Sequence, residues 1–271
     1  ENLDGSIVWS GDRISVAVET VGLLGATATG SGAVDLGDGD QVEFTFDGVV
    51  ESLDLSELRW LEPRLPDARA SARIGVEYGS EGLRATWSDG QLPIDGGNIE
   101  GEGTVRVVQG GETSFEDVTL AVLGVPVSTL EEFIPLVLPL EGRLSGTVEL
   151  SGTMDAMRVI SRMDLVEPDL GPTSGEIDGV FHLRGPLGVT GLTARLIPLD
   201  LGLVNRFAEG LLLDGSAIID VQVDGRLDSG MRVVAVAVDR DPPSEPSNVY
   251  LQGLVTEVEG EIRASFDAEL T

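Results

Sequence analysis

The chain has 271 residues, 41% of them apolar, with a formal net charge of −30 and no cysteine. All 17 basic residues are arginine, and such an acidic surface repels phosphate backbones and anionic headgroups, which argues against nucleic-acid binding and polybasic membrane docking. Without cysteine there are no disulfides, no thiolate chemistry and no cysteine-ligated metals. Apolar and charged residues in these amounts fit together only when they are finely interleaved, as in half-buried strands.

Alternation of apolar and polar residues begins near the N-terminus and predicts β-strands. Residues 13–19 and 42–47 both alternate in this way. Because successive side chains of a strand point to opposite faces, each run builds one apolar and one polar face. Turn signals such as Ser88–Gly90, Asp95–Gly97 and Asp224–Gly225 separate the runs, and we expect an antiparallel β-meander.

Two segments break the alternation and predict short helices. In the first, Ser128 stands three residues before Glu131, which is the spacing of a capping box, and apolar residues follow at helical offsets to Ile134. The second segment is Leu201 to Leu212. Each is one short helix at most.

The surroundings of these two segments form a repeat. Glu141-Gly142 corresponds to Asp214-Gly215, and Gly152 corresponds to Gly225, both at a displacement of 73 residues. Repeated supersecondary units favour an elongated stack over a closed globule. We therefore predict one elongated β-repeat segment over residues 1–271, with approximate units at 115–190 and 191–271 after a less regular portion at 1–114.

The clearest alternation lies in the C-terminal half, at residues 219–224 and 261–270. The apolar positions there are mostly valine, leucine, isoleucine and alanine. One interpretation is the sealed core of a β-sandwich. The other is a curved sheet that holds acyl chains in an aliphatic groove. Periodicity alone does not separate the two.

Residues that could carry catalysis are scarce. His182 is the sole histidine, and alternation places it on the same face as Arg184, opposite Phe181 and Leu183, so we expect it to point to solvent. No serine has glycine at both −2 and +2, and a phosphate-binding P-loop needs a lysine that the chain lacks. We expect no enzyme activity, no cofactor and no metal site.

The repeat resembles the TamB-like and AsmA-like envelope proteins of Gram-negative bacteria. The similarity lies in Val125-Pro126-Val127 and in Leu140 to Asp155, with a degenerate copy at Leu192 to Met231, and it covers roughly residues 115–240. In that family, strands with glycine, leucine and a Gly-Thr pair at fixed spacing recur many times. The resemblance implies an all-β fold, an elongated, curved antiparallel sheet in the form of a β-taco or open β-jelly-roll groove, with one or two short helices.

The resemblance also implies a function. This chain would be a non-enzymatic periplasmic section of a protein anchored in the inner membrane, which it contacts only through parts outside this chain. Its expected partners are phospholipid acyl chains and, as a second class, outer-membrane assembly proteins. The residues expected to line the groove are Val148, Leu150, Ile219, Val221, Val223, Ile262 and Phe266. The alternatives are a structural or adhesive β-repeat module with a closed core, and a chaperone-like surface that adds a strand to an outer-membrane client.

Overall fold

The computed structural model describes residues 3–23, 26–37, 42–59, 66–108, 111–131, 139–207, 214–239, 248–258 and 261–270. These residues form sixteen β-strands, two short α-helices and a 3-10 helix at Leu55–Leu58, which confirms the predicted all-β class with its two short helices. The strands are β1 Leu3–Ser10, β2 Arg13–Leu23, β3 Ala26–Asp35, β4 Glu43–Asp54, β5 Arg69–Gly79, β6 Gly82–Ile94, β7 Gly97–Val107, β8 Thr113–Pro126, β9 Arg143–Thr153, β10 Ala156–Val166, β11 Thr173–His182, β12 Gly188–Asp200, β13 Ser216–Arg226, β14 Gly230–Asp239, β15 Asn248–Val258 and β16 Glu261–Leu270, and the helices are α1 Val127–Glu131 and α2 Leu201–Phe207.

The chain divides into two compact units. Unit 1 contains β1 to β8, as far as Val125, and unit 2 contains α1 and everything from β9 onward. In unit 1 each strand pairs antiparallel with the next along the chain. Unit 2 has the same topology from β9 to β16. Each unit is therefore an eight-stranded meander, as the short turn signals predicted.

Two of the predicted turns are wrong. Ser88–Gly90 lies inside β6, where the pairing with β7 shifts between Trp87 and Gly90 and Asp89 has a positive φ of 53°. This is a β-bulge, which uses the same Asp-Gly chemistry as a turn but lets the strand continue. Asp224–Gly225 likewise belongs to β13, and the chain turns only after Arg226.

The helices occur where they were predicted. The structure describes α1 as Val127–Glu131 and α2 as Leu201–Phe207, and the remainders of the predicted helices, 132–134 and 208–212, lie outside the described residues.

The segments related by the repeat share a local geometry in unit 2. The backbone N–H of Val127, at the start of α1, donates to the carbonyl of Gly142 over 2.9 Å, and that of Leu201, at the start of α2, donates to the carbonyl of Gly215 over 3.0 Å. The same bond ties each helix to the glycine that precedes the following strand.

Candidate functional site on the apolar sheet faces

Unit 2 has one sheet face built from uncharged, mostly aliphatic side chains. Partners in an antiparallel register stand on the same face, so the pairing defines rows that cross the strands. One row crosses all eight strands through Val148, Ser161, Ile177, Ala194, Val221, Ala235, Leu251 and Ala268. Its only polar group is the Ser161 hydroxyl. We call this surface the apolar face of unit 2.

Six of the seven predicted lining residues fall on this face. Val148 and Val221 belong to the row just described, whereas Leu150, Val223 and Phe266 have partners in the next row: Val159, Val233 and Gly253, respectively. The structure thus brings these predicted residues onto one surface. Val148, Leu150, Val221 and Val223 are half-buried, while their sequence neighbours Thr147, Glu149, Asp220 and Gln222 are exposed.

Three of the seven predicted residues have surroundings of their own. Ile219 pairs with Leu196 and packs against a buried cluster at one end of the face. Phe266 lies on the outermost strand, 50% exposed, opposite Gly253. The side chain of Ile262 lies outside the described residues, although its backbone pairs with Glu257.

The opposite face of unit 2 carries the charges. Arg162 faces Glu176 across β10 and β11, with Nε 3.1 Å from the carboxylate, and Arg195 faces Asp220 across β12 and β13 at 3.6 Å. All four side chains are more than half exposed. Cross-strand pairs of opposite charge stabilise a sheet modestly and keep this face in water. The two faces therefore differ sharply in polarity.

Unit 1 repeats this division of the sheet into two faces. One row crosses its eight strands through Ile7, Val16, Gly32, Phe46, Val76, Ala85, Val105 and Phe115, without a polar side chain. We call the surface that contains this row the apolar face of unit 1. The neighbouring positions on the other face include Arg84, Arg106 and Glu116, and the Arg106 guanidinium lies 3.6 Å from the Glu116 carboxylate.

Glycines concentrate on the two apolar faces, inside the strands. At each of these positions a Cβ atom would stand less than 3.0 Å from a neighbouring atom. At Gly103, for example, it would meet the indole of Trp87 and the side chain of Val118, both at 2.7 Å. Crowding on one face is expected when a sheet bends toward that face. The glycines are Gly30, Gly32, Gly48, Gly90, Gly101, Gly103, Gly146, Gly175, Gly179 and Gly253.

The two helices cover one end of the apolar face of unit 2. Val127 of α1 and Leu203 of α2 form a buried cluster with Leu165 at the end of β10 and Leu199 at the end of β12. Their exposed fractions are 2% to 9%. We call this region the helix-capped end.

A buried carboxylate holds the helix-capped end together. The side chain of Glu167 is 1% exposed, accepts a hydrogen bond of 3.0 Å from the backbone N–H of Glu141, and lies 3.3 Å from the guanidinium of Arg206 in α2. Among the described residues, its Oε2 atom has no hydrogen-bond partner. Glu167 was missed in the sequence because it follows a strand and precedes Pro168 and Asp169, like an ordinary acidic turn.

The sole histidine and the clusters of acidic side chains are the places where the described part of the chain could carry catalysis or bind a metal. No group of three or more His, Asp or Glu side chains is placed to hold a metal ion there. His182 differs from expectation: it is half-buried, its Nδ1 bonds to the carbonyl of Asp155, and its Nε2 lies 2.8 Å from the hydroxyl of Thr190. Because a carbonyl only accepts, Nδ1 carries a proton. These bonds join three neighbouring strand ends, which is a structural role.

Among the described residues of unit 1, Asp54 has a shifted pKa. The hydroxyl of Ser56 and then its backbone N–H donate to Asp54, which lowers the pKa of that carboxyl. Asp54 is the N-cap of the 3-10 helix, so the shift reflects helix capping.

Within the described ranges, no helix combines the length and the apolar character that crossing a bilayer requires. Comparisons with protein-family models, with curated proteins and with solved structures found no match.

Proposed function

We propose that the apolar sheet faces bind phospholipid acyl chains. In this proposal the chain is a non-enzymatic, periplasmic section of a TamB-like or AsmA-like envelope protein. It shields lipid tails from water while phospholipid moves between membranes or while the outer membrane is assembled.

The observation that carries the proposal is the row from Val148 to Ala268 in unit 2. It crosses eight strands without a charge and, away from the helix-capped end, leaves Val148 and Val221 only half-buried. Acyl chains need aliphatic contact and no directional hydrogen bonds, so this surface matches their chemistry. The charged opposite face keeps such a sheet in solution.

The available energy is sufficient. An acyl chain of about 16 carbons gains roughly 12 kcal/mol when it is fully removed from water, at ~0.8 kcal/mol per CH₂. Even after the loss of translational and conformational freedom, several kcal/mol remain without any contact to the headgroup. The strands are also long enough: the part of β13 from Ile219 to Arg226 spans about 23 Å at ~3.3 Å per residue, against about 15 Å for the acyl region of one leaflet.

The main alternative is a structural module whose apolar faces form a closed core. That alternative requires a second layer over Val148 and Val221, whereas the described elements of unit 2 are one meander and two short helices that pack at one end of the face. The two alternatives make opposite predictions for a charge placed in the middle of the face.

The test compares Val221→Asp with Gln222→Asp, which puts the same carboxylate on the next residue of β13 but on the charged face. The chain is purified from a Gram-negative host and extracted with organic solvent, and phospholipid is measured by mass spectrometry. We expect lipid with the wild type and with Gln222→Asp, and at least a five-fold loss with Val221→Asp.

Far-UV circular dichroism of the same samples completes the test. In an open groove Val221→Asp stays folded, because the carboxylate reaches water. In a closed core it would unfold unit 2, because an unpaired charge would be buried. A wild type that carries no lipid, together with an unfolded Val221→Asp variant, would exclude the proposal.

A further inference from the structure

An apolar region on β14 and β15 interrupts the charged face of unit 2. Residues 233–238 of β14 are all valine or alanine, so this strand is apolar on both of its faces. Val236 opposes Asp220 of β13, which places it on the charged face, and it is 38% exposed there, beside Tyr250 at 38% and Leu254 at 49%. A strand that is apolar on both faces is typical of a sheet covered on both sides. We call this surface the outer patch; its members are Val234, Val236, Val238, Tyr250 and Leu254.

The repeat shows what the same positions look like without the patch. On β10, Arg162 opposes Glu176 of β11 and forms an ion pair with it. The counterpart of Arg162 on β14 is Val236, because each lies five residues after the methionine that pairs with a glycine of the repeat. Val236 opposes Tyr250 of β15. The second copy therefore has an exposed apolar pair where the first copy has an exposed ion pair.

The shape of the outer patch favours a helical partner. Contiguous apolar surface among charged side chains marks an interaction site. Both strands beneath the patch are paired on each side, so their backbone groups are satisfied and no partner strand can be added there. The partner must bring its own hydrogen-bonded backbone. The patch is two strands wide, about 10 Å, which is the width of one α-helix, whereas a partner sheet would need a wider apolar face.

The flanks of the outer patch are acidic. Asp220 of β13 stands on one side, and Asp267 and Glu269 of β16 stand on the other. β13 and β16 are three strand spacings apart, about 14 Å, so long side chains on both flanks of a helix over β14 and β15 would reach these carboxylates. Two arginines are nearby: Arg195, 3.6 Å from Asp220, and Arg232, at the turn end of β14. Neither stands beside the two carboxylates of β16.

We propose that the outer patch binds a basic amphipathic helix of a partner protein. The helix lies along β14 and β15, with its apolar stripe on the patch and its lysine or arginine side chains over Asp220, Asp267 and Glu269. From Arg232 to Val238 the patch extends over about 20 Å at ~3.3 Å per residue, which matches about 13 residues of helix.

A second copy of this chain fits the outer patch poorly. Two patches that are both rimmed by carboxylates repel each other, and each chain has a net charge of −30. A basic partner turns the same carboxylates into attractive contacts. The inference concerns the face opposite the proposed lipid surface and does not rest on lipid binding.

Fluorescence anisotropy with a synthetic probe tests the proposal on the whole chain. The probe is a fluorescein-labelled peptide of about 14 residues, made of leucine and lysine, with leucines at i, i+3, i+4 and i+7. We expect saturable binding of one peptide per chain. A peptide of the same composition in scrambled order, and one with glutamate in place of lysine, should each bind at least about ten-fold more weakly.

A double substitution tests the location of the site. Val236→Arg with Tyr250→Glu gives the second copy the ion pair that the first copy has in Arg162 and Glu176, and it leaves the net charge unchanged. The peptide should bind at least about ten-fold more weakly, because a charged pair replaces the centre of the apolar contact. The matched control reverses the first copy's pair, Arg162→Glu with Glu176→Arg, and should bind like the wild type. Far-UV circular dichroism checks that both double variants are folded.

A second pair of variants tests the acidic flank. Asp267→Asn with Glu269→Gln should weaken binding of the lysine peptide several-fold and make it less sensitive to salt. The matched control, Glu149→Gln with Asp164→Asn, removes two carboxylates from the same face at β9 and β10 and should change binding little. Equal losses with both pairs would mean that the peptide responds only to net charge, which would overturn the proposal.

Three other results would also overturn it. The lysine peptide could fail to bind, or it could bind equally well after Val236→Arg with Tyr250→Glu. The third is a wild-type dimer, seen by sedimentation velocity without peptide, that the same double substitution converts into monomer. That dimer would show that a second copy covers the outer patch.

Discussion

The helix-capped end of unit 2 and the middle of the same face are built from the same kinds of residue, yet only the first is sealed. Leu199 is 4% exposed beneath α1 and α2, whereas Leu150 and Val221 are half-buried on the uncovered part of the face. The difference arises from the two helices and not from the strands. Alternating apolar residues thus define a face, and whether that face is buried or exposed depends on segments outside the strands, here α1 and α2.

The largest expected effect on stability comes from replacing leucine by alanine, once at the helix-capped end and once in the middle of the face. Leu199→Ala opens a cavity in the capped cluster and should lower the free energy of unfolding of unit 2 by about 4 kcal/mol. Leu150→Ala removes the same atoms from the uncovered face and should cost about 1 kcal/mol, because part of that side chain already contacts water.

Urea unfolding followed by far-UV circular dichroism measures both values. The three tryptophans, Trp9, Trp60 and Trp87, all precede unit 2 in the chain, so their fluorescence reports on unit 1 and separates its transition. If the two substitutions cost the same, the middle of the face is as sealed as the capped end, and the closed-core alternative gains the advantage.

Breaking the ion pair between Glu167 and Arg206 at the helix-capped end should have the next largest effect on the free energy of unfolding. Arg206→Met keeps the bulk of the side chain but leaves the Glu167 carboxylate buried without its cation, which should cost about 2–3 kcal/mol. Glu167→Gln removes the charge and keeps an acceptor for the Glu141 N–H, so it should cost less. Hydrogen exchange at the Glu141 amide and urea unfolding measure both effects. A larger loss with Glu167→Gln would contradict this order.

The strands and their faces could be predicted from the sequence, because a period of two is a property of neighbouring residues. Val148, Leu150, Ile219, Val221 and Val223 were predicted to line one surface, and the structure places them on one face. The register between neighbouring strands could not be predicted, because sliding one strand by two residues keeps every side chain on its original face. The bulge at Asp89 was missed for a related reason: Asp and Gly supply the same backbone conformations in bulges as in turns.

The sequence contains weaker signals for the tertiary contacts at the helix-capped end than for the strands. The spacing at Ser128 indicated a short helix in the right place, although α1 begins at Val127, so Ser128 lies inside the helix and is not its N-cap. Nothing in the sequence indicated that Val127 and Leu203 meet over the strand ends. The isolated Glu167 resembled dozens of other acidic residues in a chain with 47 of them. The burial of the Glu167 carboxylate depends on three segments that are far apart in sequence. The alternation of apolar and polar residues carries no information about contacts between such segments.

The smallest expected effect is at the exposed counterpart of the Glu167–Arg206 pair. Arg195 and Asp220 oppose each other in mid-sheet at 3.6 Å, with side chains 55% and 58% exposed. A double-mutant cycle with Arg195→Gln and Asp220→Asn should give a coupling energy below about 0.5 kcal/mol, and added salt should reduce it further. The same cycle at Glu167 and Arg206 should give a larger coupling that salt changes little, because water and ions do not reach the Glu167 carboxylate. Equal couplings with equal salt dependence would mean that the capped end is as accessible to solvent as the charged face.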